Sequence, residues 1–398
     1  MEQCWRWFGP GDTVPLTAIT QAGAEGVVTS LHHIPYGEVW SVEEITKRQA
    51  MIAADPSLKL RWTVVESLPV HEAIKLGTGD LAPLFDAYRQ SMRNLAACGV
   101  KTICYNFMPV VDWTRTELRR RLPGDGSALR FNLHEFAAFD CFMLERRHAE
   151  GDYTEAVLVR ARDWFGTASE SDKATLLASI MAGLPGAFDR YDIPGLRTML
   201  ARYGDIDHAT LHAHLARFLA EVVPTAEELG MRLAIHPDDP PRPIMGLPRI
   251  VSTADDIRKL LSSVDSDANG LTFCTGSLGA GAHNDVPAMA TEFAARTHFV
   301  HLRNVAKDPD GSFQEADHLG GDTDMVAVIT AFLTEQKRRR DAGQTDWRLP
   351  MRPDHGHELL DDIGKGSFPG YSAIGRLKGL AELRGVMTAV AAIKGLPM

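Results

Sequence analysis

Cysteine is scarce and unpaired in this chain: there are five in 398 residues, with no C-x-x-C pair. That excludes a disulfide framework or a structural zinc ribbon as the basis of the fold and points to a reducing compartment. No apolar run approaches the length of a membrane span, and Met1-Glu2-Gln3-Cys4-Trp5-Arg6-Trp7 lacks the apolar stretch of a signal peptide, so a cytoplasmic protein with no membrane partner is expected. Positive charge is in deficit, 42 Lys and Arg against 52 Asp and Glu. The resulting net charge of −10 weighs against nucleic acid or an anionic surface as the main partner. The run Lys337-Arg338-Arg339-Arg340 reads as a solvated helix terminus, where cations complement the dipole.

Several catalytic motifs are also missing. There is no G-x-S-x-G elbow for a serine hydrolase. His134-Glu135 lacks the second histidine of a zincin helix, because position 138 is Ala138. The segment Gly276-Ser277-Leu278-Gly279-Ala280-Gly281 matches neither dinucleotide nor P-loop spacing and reads as a mobile turn. His208 and His212 stand one helical turn apart without a third ligand nearby and read as solvated helix residues.

What the chain does contain is a recurring form, a short apolar run ending in a side chain able to bind metal. Arg232-Leu233-Ala234-Ile235 stops at His236, followed by Pro237-Asp238-Asp239-Pro240-Pro241; Leu271-Thr272-Phe273 stops at Cys274; His298-Phe299-Val300 stops at His301; Leu349-Pro350-Met351-Arg352-Pro353 stops at Asp354. The intervals of 38, 27 and 53 residues suit a strand, a crossover helix and a parallel neighbour. Taken singly, each of these residues reads as an ordinary buried side chain. Together, at the same end of successive parallel strands, they form a set suited to a divalent transition metal.

Four further apolar runs, at 4–8, 26–31, 61–65 and 102–107, precede them, with Ser41 and Glu44 opening a helix and Gly99 closing another. Eight strands alternating with helices predict a closed (β/α)8 TIM barrel as a single domain over 1–398, with an open doubly wound sheet as the alternative. About 120 residues, 110–230, separate the fourth and fifth strands. Apolar faces at Leu133, Phe136, Ala137, Phe139 and Met143, and again at Leu211, Leu215, Phe218, Leu219 and Val222, predict a mainly helical insertion there, acting as a lid or an oligomer contact. The stretch Arg352-Pro353-Asp354-His355-Gly356-His357-Glu358 is the most concentrated. His355 stands one residue past a ligand candidate, where its near-neutral pKa suits acid or base work. Arg303, Asn304 and Tyr371 are expected to face the same cavity.

The segments Ile235-His236-Pro237-Asp238-Asp239-Pro240-Pro241, Phe273-Cys274-Thr275-Gly276-Ser277, Val300-His301-Leu302-Arg303-Asn304 and Arg352-Pro353-Asp354-His355-Gly356-His357 resemble the mannonate dehydratases of hexuronate degradation, as does the opening Trp5-Arg6-Trp7-Phe8-Gly9-Pro10. The resemblance spans essentially the whole chain. It implies a xylose-isomerase-like barrel, a lyase of carbohydrate metabolism that uses Fe(II) or Mn(II) to convert D-mannonate to 2-dehydro-3-deoxy-D-gluconate and water. Its ligands carry over onto His236, Cys274, His301 and Asp354, and its acid/base pair onto His355 and Tyr371. Arg303, Asn304, Asp238, His33 and His357 are then expected to bind the substrate's carboxylate and hydroxyls, and a homodimer is expected. The competing readings are a metal-dependent sugar isomerase or epimerase on the same barrel, a barrel phosphodiesterase and a metal-storing protein. The thiolate and single clear carboxylate weigh against the first, the acidic charge against the second, and His355 and His357 beside Asp354 against the third.

Overall fold

In the computed structural model of the chain, which describes residues 1–183 and 191–398, the strands in chain order are β1 (Glu2–Arg6), β2 (Gly26–Thr29), β3 (Arg61–Glu66), β4 (Thr102–Tyr105), β5 (Glu117–Arg121), β6 (Ser127–Phe131), β7 (Arg232–Ile235), β8 (Asn269–Cys274), β9 (Thr297–His301), β10 (Val305–Lys307), β11 (Phe313–Glu315) and β12 (Pro350–Arg352). Eight of them close a parallel barrel in the order β1-β2-β3-β4-β7-β8-β9-β12, so the expected eight strands are all present and the open sheet is not formed. The first strand is displaced from 4–8 to Glu2–Arg6. Glu2 N–H donates to the Leu349 carbonyl at 2.9 Å, while Phe8 N–H is taken by the Asp12 carboxylate, also at 2.9 Å, and Gly9 turns the chain at φ +91°.

Strand alternation divides the core. Cys4, Val28, Val64, Cys104, Ala234 and Phe299 fill the barrel interior, while residues such as Val27, Val65, Ile103 and Leu233 pack outward against the helices. Phe299 and His301 share the inward parity of β9 and meet edge to face at 4.5 Å, so an aromatic ring floors the space beneath the histidine. The register pairs Cys274 with His301 and Arg352 with His301, setting these three side chains level at the C-terminal rim.

The insertion is less uniformly helical than expected. It opens with the hairpin β5–β6, which joins β10 and β11 in a separate antiparallel sheet of order β10-β11-β6-β5. Helices Glu155–Thr167, Glu170–Ile180 and Ile193–Ala201 follow, and the long helix His208–Leu229 returns the chain to β7. The part of the insertion at 184–190 lies outside the described residues. A second apolar core, including Phe131, Phe136, Phe139, Leu144, Leu196 and Phe313, sits under this sheet and these helices.

Two surface expectations change. Arg339 is buried and holds Glu335 and the carbonyls of Ala294, Ala295 and Thr297, so the basic run is partly a clamp at the foot of helix Met325–Asp341. His212 is buried, although His208 remains exposed beside Asp256.

Candidate active site

His236, Cys274 and His301 offer one donor atom each, and these atoms all lie within 4.8 Å of one another. His236 stands just past β7 and donates Nδ1–H to the Pro237 carbonyl at 2.7 Å, which leaves the Nε2 lone pair free. His301 is fully buried, and its Nδ1 finds no hydrogen-bond partner among the described residues. Its Nε2 lies 3.6 Å from Glu66 Oε2 and 3.1 Å from Arg352 Nε. Arg352 Nε–H donates to that Nε2. A buried nitrogen without a partner, a thiol and a second free imidazole nitrogen within one small space are donors that fit a borderline-soft divalent cation.

Asp354 adds a carboxylate at the edge of this group, 3.6 Å from Cys274 Sγ and 3.9 Å from His301 Nδ1. Its left-handed backbone, at φ 60°, is a conformation that aspartate tolerates. Burial alone would raise its pKa, but Arg352 at 2.6 Å, together with His355 and Arg303, holds it well below the ordinary carboxylate range. Glu66 is held down in the same way against burial by Arg352, Arg6 and His301.

His355 follows directly. Its Nδ1 lies 2.9 Å from Arg303 Nη1 and 3.1 Å from Glu315 Oε1, and its Nε2 is 3.9 Å from Asp354 Oδ1. Gly356 N–H donates to the Gly370 carbonyl at 2.8 Å, which brings Tyr371 alongside, with the two rings nearly perpendicular and 5.1 Å apart. Burial pushes the Tyr371 phenol up, so the ring is protonated at neutral pH. An inner pocket of about 30 Å³, lined by His236, Asp239, Asp354, His355, Tyr371 and Trp113 among others, opens past Ser67, Asn106 and Met108 into an outer cleft of about 300 Å³. Ile180, Met181 and Tyr191 of the insertion wall that cleft.

The residues expected to bind substrate are engaged with partners of the protein's own. Arg303 is a buried hub, with Nη2 on Asp239 at 2.6 Å, Nη1 on Glu315 at 2.7 Å and Nε 3.0 Å from Asp354. Gly276 is required beneath it, since a Cβ there would come within 2.1 Å of Nε. The glycine-rich stretch is accordingly the buried helix Thr275–Gly279 and not an open turn. Asn304 uses its amide to close a turn, donating to the His318 and Thr323 carbonyls and accepting from the Val305 and Thr323 amides. Asp238 accepts from Val251 N–H at 2.7 Å and Ser252 Oγ at 2.9 Å, which ties down the following loop; its neighbour Asp239 is the one that lines the inner pocket. The His33 side chain is 56% exposed and pairs with Glu44, whereas His32 lines the outer cleft. His357 Nε2 lies 3.1 Å from the Glu315 carbonyl and supports that strand from outside the cavity.

Four charged residues were not singled out from sequence. Arg115 is fully buried and grips Asp239 with both nitrogens, at 2.7 and 3.0 Å, while reaching Glu315 at 3.1 Å. Burial would raise Asp239, but Arg115 and Arg303 outweigh it and hold the group well below the ordinary range. Glu315 is likewise lowered, against burial, to about 2 by Arg303, His355 and Arg115. Glu66 joins Arg6 at 2.9 Å to Arg352 at 2.7 Å across the barrel mouth. Glu66 alone carried a usable signal, as the last residue of a strand.

Comparison with known proteins gives a consistent result. The family model described as D-mannonate dehydratase (UxuA) matches residues 1–395. The chain is 51% identical over 391 residues to a mannonate dehydratase of Saccharophagus degradans, covering 98% of each protein. It is 53% identical over 392 residues to one of Chromohalobacter salexigens, covering 98% of this chain and 99% of the relative. Among solved structures it is similar to the mannonate dehydratase of Streptococcus suis serotype 2, with a TM-score of 0.77 at 33% identity, over 99% of this chain and 95% of that one.

Proposed function

The chain belongs to the D-mannonate dehydratase family, and on that premise we propose how its residues carry out the dehydration of D-mannonate to 2-dehydro-3-deoxy-D-gluconate. His236, Cys274, His301 and Asp354 hold one divalent ion, Fe(II) or Mn(II), by the softness of a thiolate and two imidazoles joined by one carboxylate. Bound there, the ion supplies Lewis-acid stabilisation of the negative charge that develops on the substrate's carboxylate and C2 oxygen. The observation that carries the reading is the convergence of three metal-capable donor atoms within 4.8 Å, with Asp354 alongside and His355 against it.

The reaction removes a proton from C2 and hydroxide from C3, and both leave poorly. His355 and Tyr371 flank the inner pocket and divide the two proton transfers, one as base toward C2 and the other as acid toward the C3 hydroxyl. Each role is worth on the order of 10²- to 10⁴-fold. As the C2–H electron pair forms the C2–C3 double bond, the C3–O bond breaks and the hydroxyl leaves as water with the acid's proton. The enol then takes a proton at C3 and gives up its C2 hydroxyl proton, which leaves the 2-keto acid. The inner pocket receives the reacting carbons, and the outer cleft, with His32 and Asn106 on its wall, receives the remaining hydroxylated carbons.

The test is an anaerobic assay of 2-keto acid formation from D-mannonate after chelation and re-addition of Fe(II), Mn(II), Zn(II) or Mg(II). Product only with a restored transition ion is expected; equal turnover in the stripped enzyme would remove the ion from the reaction. Cys274→Ser replaces a thiolate with a poor hydroxyl donor. It should weaken metal binding by at least the roughly 10- to 100-fold that loss of an outer partner costs, with activity falling in step. A fully metallated and active variant would remove Cys274 from the ligand set. The sugar isomerase alternative is not favoured by the family membership.

A further inference from the structure

We propose that Glu315 is the positioning residue of His355, and that the outer four-stranded sheet delivers it to the active-site face. The inference rests on the reading of His355 as an acid/base group. Glu315 ends β11, a strand held by β10 on one side and β6 on the other, with Val305 opposite Glu315 and Phe131 opposite Phe313. Phe313 and Glu315 share the buried parity of the strand, and Phe313 stacks on Phe131 at 5.4 Å in the insertion core. That anchor turns the Glu315 carboxylate toward the barrel.

There Oε1 is fixed from two sides, by Arg303 Nη1 at 2.7 Å and Arg115 Nη2 at 3.1 Å, and faces His355 Nδ1 at 3.1 Å. Oε2 is buried with no hydrogen-bond partner among the described residues, leaving a second acceptor at the same place. Arg303 Nη1 also stands 2.9 Å from that Nδ1. The imidazole is therefore pinned by a donor and an acceptor together. Held between these two groups at Nδ1, the ring has its plane fixed, and with it the direction in which Nε2 faces Asp354 and the pocket. Preorganisation of this kind matters because a displacement of about 1 Å in a catalytic group costs on the order of 10²-fold.

Two substitutions separate reach from charge. Glu315→Gln keeps the length and removes the charge; Glu315→Asp keeps the charge for Arg115 and Arg303 and withdraws the oxygens from Nδ1. Each is expected to lower kcat about 10²-fold, with KM and metal content unchanged, and neither should lower kcat further when combined with His355→Asn. The Asp variant carries the test if the Gln variant does not fold. Wild-type kcat in the folded Asp variant overturns the inference. So do losses that multiply in the double variant, because Glu315 would then act without His355. Retained turnover in His355→Asn alone would overturn the acid/base reading itself, whereas an inactive His355→Asn beside a fully active Glu315→Asp would overturn only the role of Glu315.

Discussion

His355→Asn is expected to lower kcat by about 10²- to 10⁴-fold while metal content stays at the wild-type level. The asparagine amide reaches as far as the imidazole Nδ1, so it can still meet Arg303 and Glu315 and leave neither buried charge abandoned. What it lacks is Nε2, the ring nitrogen on the Asp354 side. His355 is not among the three grouped donors, so the ion should remain. Metal analysis of the purified variant beside its steady-state kinetics makes the distinction. Loss of metal together with activity would move His355 into the ligand shell, and retained turnover would reduce it to a support.

Arg303→Met should act differently, by lowering the stability of the whole protein by about 3–5 kcal/mol, the usual result of removing one partner from a buried ionic set. Methionine roughly matches the aliphatic stem, but Asp239, Glu315 and Asp354 each lose a guanidinium contact of 3.0 Å or less in a fully buried place. Arg115 still serves Asp239 and Glu315, and Arg352 still serves Asp354, so the variant is expected to fold. The denaturant midpoint should fall with the slope unchanged. A large rise in KM at wild-type stability would instead place Arg303 on the substrate.

These two residues show what the sequence revealed and where it stopped. The metal-capable set was legible because each member ends or follows an apolar run, and parallel strands of similar length bring such ends to one rim. The side groups were legible only to within a residue. His33 was expected where His32 lies, and Asp238 where Asp239 lies; a strand's alternation assigns sides only while the strand lasts, and both pairs lie beyond it. Arg303 was visible as a charged residue after β9, but not that its fork is consumed by three carboxylates arriving from other parts of the chain. Arg115 and Glu315 gave no local sign at all. Their positions depend on two hairpins, 117–131 and 305–315, finding each other across about 180 residues, and nothing in the short polar sequence of Glu117–Arg121 announces a partner.

The charged residues around the pocket also set a condition of electroneutrality. Arg6, Arg115, Arg303 and Arg352 stand against Glu66, Asp239, Glu315 and Asp354, so the guanidinium and carboxylate charges cancel. Because each of these charges is already spent on a neighbour, moving any one of them strands another in a poorly solvated space, and the wall holds its shape as a unit.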